Sequence, residues 1–366
     1  MTTKDKVLEE LTSAGGKAVS GESLAQKCGV SRAAIWKAVS ALREKGFFIE
    51  GMPNGGYALS DTDICTPEFF HKTFSETFPD LADCHTEWLK EIDSTNTYAK
   101  RLLSECGNLR TADGTLTPAG EKYHRAVIVA ESQTAGRGRL GRTFISPDKT
   151  GIYLSVIYAP SGGITQPAVI TAFAAVAVCR AIKNIYKIEP SIKWINDIFV
   201  ENGGVRKKAV GILAEGITNF ETHTIESAII GIGLNLKPSK DLVSGEMQNI
   251  AGFIADANVE NAAISGAGSS VDVSRCRIAA EVAGQLLRIY DEPNEKVMAE
   301  YKALMFLIGQ TLEVHPIIGD EKSVYTATAV DIDENAGLVV RLTDGTTKTL
   351  SSGEVSLKSA NFTGKN

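Results

Sequence analysis

The chain has 366 residues, with 38 basic and 44 acidic side chains and a net charge of −6. That length suits about two or three domains, and the acidic balance excludes a generic polyanion binder, so any nucleic-acid contact must be a local patch. Six scattered cysteines (Cys28, Cys65, Cys84, Cys106, Cys179 and Cys276), with no close pair and no histidine-rich neighbourhood, exclude the spacing of a zinc site or a disulfide framework and suit a cytoplasmic protein.

In chain order, Val7, Leu8 and Leu11 give residues 3–14 a helical spacing that Gly15-Gly16 stops. A short helix from Gly21, a glycine turn at Gly29 and a further helix capped by Ser31 follow, the layout of a helix-turn-helix. Leu24, Ala25, Val30, Ile35, Val39 and Leu42 are its expected core, and Ser31, Arg32, Ala33, Trp36 and Lys37 its expected nucleic-acid face. Phe47 to Glu50 and Tyr57 to Leu59 read as two strands of a wing joined by Gly51 to Gly56. Residues 1–62 carry eight Lys/Arg against seven acids, yet within Ser31 to Lys45 the balance is four to one. A three-helix module for protein contacts is the other reading of this segment.

Asp61 to Pro67 reads as a linker. Beyond it, strands are expected at Ala126 to Ala130, Gly151 to Tyr158, Ser191 to Trp194, Ala209 to Ala214 and Ile225 to Leu234, and helices at Ile92 to Leu103 and Gln166 to Tyr186. The most apolar window, Ala168 to Cys179, contains Thr171 and ends at Arg180, short of the roughly 18 residues of a membrane span. It is expected to be a buried core helix, and no basic, apolar secretory signal precedes the chain's first helix. Gly107 to His124 and Lys237 to Asp272 look like insertions, and Arg275 to Asp291 and Glu295 to Phe306 like amphipathic helices. From Gly309, short strands at Thr311 to His315, Ser323 to Ile332, Gly337 to Leu342 and Thr346 to Leu350, with an Asp344-Gly345 turn, suggest a small barrel. The domains expected are therefore 1–62, 67–307 and 308–360, in an α+β chain.

Residues 136–142 read Gly-Arg-Gly-Arg-Leu-Gly-Arg. Gly136, Gly138 and Gly141 let the backbone approach a ligand, while Arg137, Arg139 and Arg142 supply forked donors that match carboxylate or phosphate oxygens. The plainer alternative is a flexible basic turn. Asp93-Ser94-Thr95-Asn96 opens a helix and either caps it or binds a neutral polar ligand. Gln133 offers one donor and one acceptor to an amide or ureido edge. Lys193-Trp194-Ile195-Asn196-Asp197 gathers a cation, a ring, an amide and a carboxylate at a strand end, a set that is costly to bury without purpose. Lys208 stands at the mouth of the apolar strand that runs to Glu215, and Gly231 to Leu236 alternates glycine with apolar residues, with Asn235 able to pair with an adenine edge.

These five segments, in this order and approximate spacing, resemble biotin protein ligases. The helix-turn-helix, above all Ser31-Arg32-Ala33-Ala34-Ile35, and Ser352-Gly353-Glu354-Val355-Ser356-Leu357 resemble the bifunctional bacterial form that is also the biotin operon repressor. The likeness covers nearly the whole chain apart from the two insertions. It departs at Ile195, where the family usually has proline, and at Phe144, where tryptophan is usual and a phenyl ring stacks with less surface.

The resemblance implies an N-terminal winged helix-turn-helix, a central mixed α/β ligase domain like the class II synthetases and a C-terminal SH3-like barrel. It implies biotin and ATP as substrates, Mg2+ with the ATP, biotinyl-5′-AMP as intermediate, and a biotin carboxyl carrier protein domain, operator DNA and a second copy of the chain as partners, with no membrane. Arg139, Lys208 and Asp197 would be catalytic. Ser94, Thr95, Asn96, Gln133, Gly136, Arg137, Gly138, Arg139 and Lys208 would bind biotin. Arg139, Arg142, Phe144, Asn196 and Asn235 would bind ATP, with Asn196 and Asp197 either contacting magnesium, Asp197 above all, or orienting the incoming lysine. A lipoate-type acyl-adenylate ligase and a biotin-sensing repressor without catalysis are the two rivals.

Overall fold

The computed structural model describes residues 2–14, 17–44, 47, 49–52, 56–59, 65–111, 113–202, 204–218, 224–243, 250–256, 275–316, 323–351 and 353–357. Lys45, Phe48, most of the expected linker, the greater part of the second insertion and Ser352 lie outside this set. The chain divides into two compact units, residues 1–69 with 272–276, and 70–271 with 277–366.

In the first unit, helices α1 (Thr3–Ser13), α2 (Gly21–Cys28) and α3 (Arg32–Glu44) precede a hairpin of β1 (Ile49–Met52) and β2 (Gly56–Leu59). One apolar cluster of Val7, Leu11, Leu24, Ile35, Val39 and Leu42 holds the helices together, with Ala25 and Val30 packed at its margin. The turn between α2 and α3 requires Gly29, which sits at φ +68°, a conformation that costs other residues steric strain. Ser31 Oγ then accepts the Ala34 N–H at 3.2 Å and starts α3.

The second unit is built on a seven-stranded sheet. Its strands are β3 (Thr86–Ile92), β4 (Val127–Gln133), β5 (Gly151–Tyr158), β6 (Ser191–Lys193), β7 (Asp197–Asn202), β8 (Val205–Thr218) and β9 (Ile225–Asn235), in the spatial order β3-β4-β5-β9-β8-β7-β6. Only the β3–β4 pair is parallel. Side chains alternate across β5. Ile157 joins Ala99 and Leu103 of α5 (Thr95–Cys106) in one cluster, whereas Tyr158 stacks on Tyr290, which in turn packs on Phe173 of α7 (Pro167–Tyr186). The sheet thus carries α5 on one face and α7 on the other. α7 is long and apolar enough by composition to cross a membrane, but it is mostly buried inside the fold. Helices α8 (Arg275–Ile289) and α9 (Asn294–Leu304) follow, and Arg180 of α7 is clasped by Glu292 and Glu300.

Five further strands, β10 (Thr311–His315), β11 (Tyr325–Ile332), β12 (Leu338–Arg341), β13 (Thr347–Leu350) and β14 (Glu354–Leu357), form an antiparallel sheet in the order β13-β12-β11-β10-β14. Asp344 Oδ1 accepts the Thr346 N–H at 2.9 Å in the expected turn. Several sequence expectations shift. The helix expected from Ile92 starts only at Thr95, because Ser94 caps it and Ile92 ends β3. The first insertion contains a helix, α6 (Pro118–Tyr123), started by Thr117. β3, β7 and β14 were not expected as strands, nor was α4 (Pro67–Thr77), which begins where the linker was expected to end, as a helix.

His124 lies beside Tyr158, and its Nδ1 accepts the Ala159 N–H at 3.1 Å, which requires that nitrogen to be unprotonated. Burial first, then the Arg125 and Arg110 charges, press its pKa from 6.5 to about 4. The folded value lies below the unfolded one, so the unfolded chain binds the proton first as pH falls. Stability is expected to be complete above pH 6.5 and to decline from there toward pH 4. Urea unfolding at stepped pH should show that decline flattened in His124→Gln, and an identical slope in the variant would discount His124.

Candidate active site

The arginine loop is a closed excursion between β4 and β5. Gln133 bridges Ser146, the Phe144 N–H donates to the Gly136 carbonyl at 2.9 Å, and the Gly138 N–H to the Arg142 carbonyl at 2.7 Å. At its tip Leu140 is held at φ +60° with its side chain 57% exposed. Arg137 reaches Glu215 at 3.1 Å, and Arg139 Nη1 donates to Asn196 Oδ1 at 2.8 Å. Both guanidiniums therefore turn back onto the walls of a cavity of about 210 Å³.

One wall is polar and anchored on the start of α5. The Thr95 N–H donates to Gln133 Oε1 at 2.9 Å, and Gln133 Nε2 to Ser146 Oγ at 2.8 Å. Asn96 Nδ2 donates to the Leu213 carbonyl and to Glu215 Oε2, while Ser155 Oγ lies 2.6 Å from Asn96 Oδ1 and 2.7 Å from Thr95 Oγ1. Burial raises the Glu215 pKa, but hydrogen bonds from Lys100 and Asn96 and the charges of Lys100 and Arg137 outweigh it and hold the carboxyl below its ordinary range.

The floor is backbone. Phe144 lies over Gly211 and Gly233, with Tyr153 edge-on at 6.4 Å between ring centroids. A Cβ at Gly233 would overlap the Phe144 ring, and one at Gly231 would overlap Asn96. Beside this floor Asn235 is buried, and its Oδ1 has no hydrogen-bond partner. A buried carbonyl oxygen left this way has a standing demand for a donor.

Opposite, the turn after β6 brings Asn196 and Asp197 to the cavity. Its Trp194–Ile195 peptide is cis. Asn196 Nδ2 donates to the Ile212 carbonyl at 2.9 Å, Tyr301 Oη to the Ile195 carbonyl at 3.1 Å, and Trp194 Nε1 to the Ala336 carbonyl of the β11–β12 turn at 2.8 Å. Lys208 Nζ is paired with Asp197 Oδ1 at 2.7 Å, off the axis of a true hydrogen bond. An extra residue of β8 opposite Ile198–Phe199 sets this register.

The cavity collects Ser94, Thr95, Asn96, Gln133, Arg137, Gly138, Arg139, Arg142, Phe144, Asn196, Asp197, Lys208 and Asn235 from six separate stretches of sequence. Gly136 is not part of its lining. It is buried where a Cβ would meet the Phe144 carbonyl and Ser146, so it admits the neighbouring strand. Leu242, Ile250 and Ala251, in the described parts of the second insertion, line the cavity, as do Gly353 and Val355 from the C-terminal sheet. Ser146, Ser155 and the anchoring roles of Glu215 and Trp194 escaped sequence reasoning. The available signal was a lone serine in an apolar strand and a carboxylate ending another. In the first unit, Arg32, Ala33, Trp36 and Lys37 are exposed on α3, with Trp36 at 59%, whereas Arg43 donates to the Ile49 carbonyl at 2.8 Å.

Three families match successive segments: a helix-turn-helix domain at residues 3–58, the biotin/lipoate A/B protein ligase family at 89–235 and the biotin protein ligase C-terminal domain at 313–358. The bifunctional ligase/repressor BirA of Bacillus spizizenii is 32% identical over 266 residues, which cover 71% of this chain and 73% of that one. The bifunctional ligase/repressor BirA of Escherichia coli K12 is 26% identical over 95% of each. A solved structure, the biotin protein ligase from Aquifex aeolicus in complex with biotin and ATP, has the same fold, with a TM-score of 0.53 at 23% identity over 75% of this chain and 98% of that one.

Gly233→Ala should cost roughly 1–3 kcal/mol in urea unfolding, because the new methyl must displace the Phe144 ring. Phe144→Leu combined with Gly233→Ala should recover most of that loss. Strict additivity of the two substitutions would show that ring and glycine do not meet.

Proposed function

This chain belongs to the bifunctional biotin protein ligase and repressor family, and on that premise we propose that its cavity activates biotin with ATP and passes it to a lysine of a biotin carboxyl carrier protein domain. The biotin carboxylate attacks the α-phosphate, the bond to the β-phosphate breaks, and pyrophosphate leaves biotinyl-5′-AMP. The neutral acceptor amine then attacks the mixed anhydride, AMP departs with the bonding pair, and the amine's proton passes to solvent. The observation that carries this reading is the convergence on one cavity of Arg137, Arg139 and Lys208 beside an amide-rich wall and a buried, unpartnered Asn235 oxygen.

The difficulty is bringing two anions together and then guarding a hydrolysable intermediate. Arg137, Arg139 and the loop's backbone N–H groups would meet carboxylate and phosphate and close water out. Lys208 would oppose the charge that builds in both steps. Ser94, Thr95 and Gln133 would hold the ureido ring, with Asn96 behind them. Phe144 would stack on adenine, Asn235 would pair with its edge, and Arg142 would meet the nucleotide. Asn196 would hold Arg139 in place, and Asp197 would position Lys208 or the incoming amine.

Among the described residues no cluster of three or more metal-ligating side chains exists. Asp197, the carboxylate in the cavity lining, would contact a Mg2+ carried in on the nucleotide phosphates. Bound Mg2+ would draw charge from the departing pyrophosphate. Thiols that form no disulfide are in keeping with a reducing cytoplasm.

Pyrophosphate exchange into ATP should appear with biotin. Exchange with lipoate alone would favour a lipoate-type ligase, and none with either ligand a non-catalytic sensor. In the same assay Lys208→Ala should lower kcat about 10²–10³-fold while leaving the biotin KM nearly unchanged, since its charge meets charge that exists chiefly in the transition state. Normal turnover with a raised KM would contradict this role.

For repression, the exposed face of α3 with Arg32, Ala33, Trp36 and Lys37 would enter a major groove of operator DNA, positioned by the Ser31 cap. A unit of such small net charge makes few phosphate contacts, so two copies at fixed spacing would be needed for tight binding. Biotinyl-5′-AMP, by ordering the arginine loop, would favour that homodimer. Operator binding and sedimentation with and without biotin and MgATP should rise together, and equal operator affinity in both conditions would remove the switch while leaving the ligase.

A further inference from the structure

Lys193 ends β6, is only 2% exposed and stands in the cavity lining, where five cationic side chains meet a single carboxylate, Asp197, among the described residues. The strand registers place it. Lys193 is opposite Asp197, Asp197 opposite Gly211, and Gly211 opposite Gly233. Residues directly opposite one another in antiparallel strands point to the same face. Lys193 therefore shares the face of the glycine floor, on which Phe144 lies and onto which Lys208 folds, its Cε 3.6 Å from the position of a Cβ at Gly211. One row thus runs from the floor at β9 and β8 through Asp197 of β7 to Lys193 of β6, the edge strand, which lies two strand spacings, about 10 Å, beyond β8. The polar wall is at the other end of that row, with Gln133 on β4 and Asn96 against Ser155 of β5 and Gly231 of β9.

We infer that Lys193 receives the departing pyrophosphate, and that this row of the sheet is the axis of the displacement. Attacking and leaving oxygens stand roughly in line across the phosphorus atom. With the ureido ring at the polar wall and the α-phosphate at Lys208, the carboxylate arrives from the β9 side, so the bond that breaks points toward β7 and β6. As the carboxylate oxygen bonds to phosphorus, the bridging oxygen leaves with the bonding pair. The Lys193 ammonium opposes the charge that grows on the diphosphate and keeps its proton. Its burial makes that charge effective, because a wall without water screens it little. Lys208 faces charge in both half-reactions, whereas Lys193 faces it only in the one that releases pyrophosphate. The inference rests on the reading of this cavity as a site that activates biotin with ATP.

The two half-reactions separate this role from a structural one. Wild type, Lys193→Met, Lys193→Gln and Lys193→Arg are assayed for biotin-dependent exchange of labelled pyrophosphate into ATP, and for transfer from supplied biotinyl-5′-AMP to a biotin carboxyl carrier domain. Lys193→Met, which keeps most of the stem and removes the charge, should raise the pyrophosphate KM at least about tenfold and slow exchange about 10²-fold, with transfer within about threefold of wild type. Lys193→Arg should exchange faster than Lys193→Met, because the charge returns on a longer stem. Wild-type exchange rate and pyrophosphate KM in Lys193→Met overturn the inference alone. So does an equal loss in both half-reactions, which a merely loosened wall would give. Should Lys193→Met fail to fold, Lys193→Gln decides: a raised pyrophosphate KM with normal transfer supports the role, and parallel losses or none overturn it. Wild type without biotin-dependent exchange overturns it together with the parent reading.

Discussion

Five cations line one cavity, Arg137, Arg139, Arg142, Lys193 and Lys208, and the site is arranged around keeping three of them in place, Arg137, Arg139 and Lys208. Each has a partner of its own: Arg137 the Glu215 carboxylate, Arg139 the Asn196 amide oxygen, Lys208 the Asp197 carboxylate. Arg137 keeps 45% of its side chain exposed and Lys208 31%, so these pairings hold the side chains in position more than they stabilise the fold. The partners differ in strength. Asn196 gives Arg139 a neutral acceptor, which an anionic oxygen readily outcompetes, whereas Glu215 is also tied to Lys100 and Asn96 and stays put. Of these two guanidiniums Arg139 has the weaker hold, and Arg137 is the more firmly part of the wall.

The same demand explains why the floor is glycine. Side chains that recognise a flat ring need a flat surface behind them, and β8 and β9 provide it at Gly211, Gly231 and Gly233, where backbone takes the place of side chains. The hydrogen-bond ladder continues unbroken beneath, Gly211 opposite Gly233 and Gly231 opposite Leu213. The floor therefore rests on the continuous pairing of two central strands, whereas the arginine loop opposite is tied by a few backbone bonds.

The central strands were legible because they are apolar on both faces. Gly151–Tyr158 was read to the residue and Ile225–Asn235 to within one. The edge strand β3 was not, since Glu87, Lys90 and Glu91 interrupt its alternation, as suits a sheet margin. Residues expected at the site from their local motifs were found together because each motif presents its groups at an element's end. What stayed hidden were partners distant in sequence: Ser155 stands 60 residues from Thr95, and Glu215 stands 119 from Asn96. A buried serine in an apolar strand has no local signature. Gly136 illustrates the converse, a motif glycine required by strand approach where ligand contact was expected.

The C-terminal sheet bears on the chemistry through the turn that follows β6. Trp194 is bound to the Ala336 carbonyl, and Ala336 sits in a turn braced by Asp333, whose Oδ1 accepts the N–H groups of Asn335 at 2.9 Å and Gly337 at 2.7 Å. Tyr301 of α9 holds the next carbonyl along, and Asn196 closes the set against β8. Asn196 and Asp197 are therefore placed by three elements at once, and through them so are Arg139 and Lys208. With Gly353 and Val355 also lining the cavity, the C-terminal sheet supplies both a wall and a support for the cations opposite. The cavity is thus the joint product of the two sheets of the second unit.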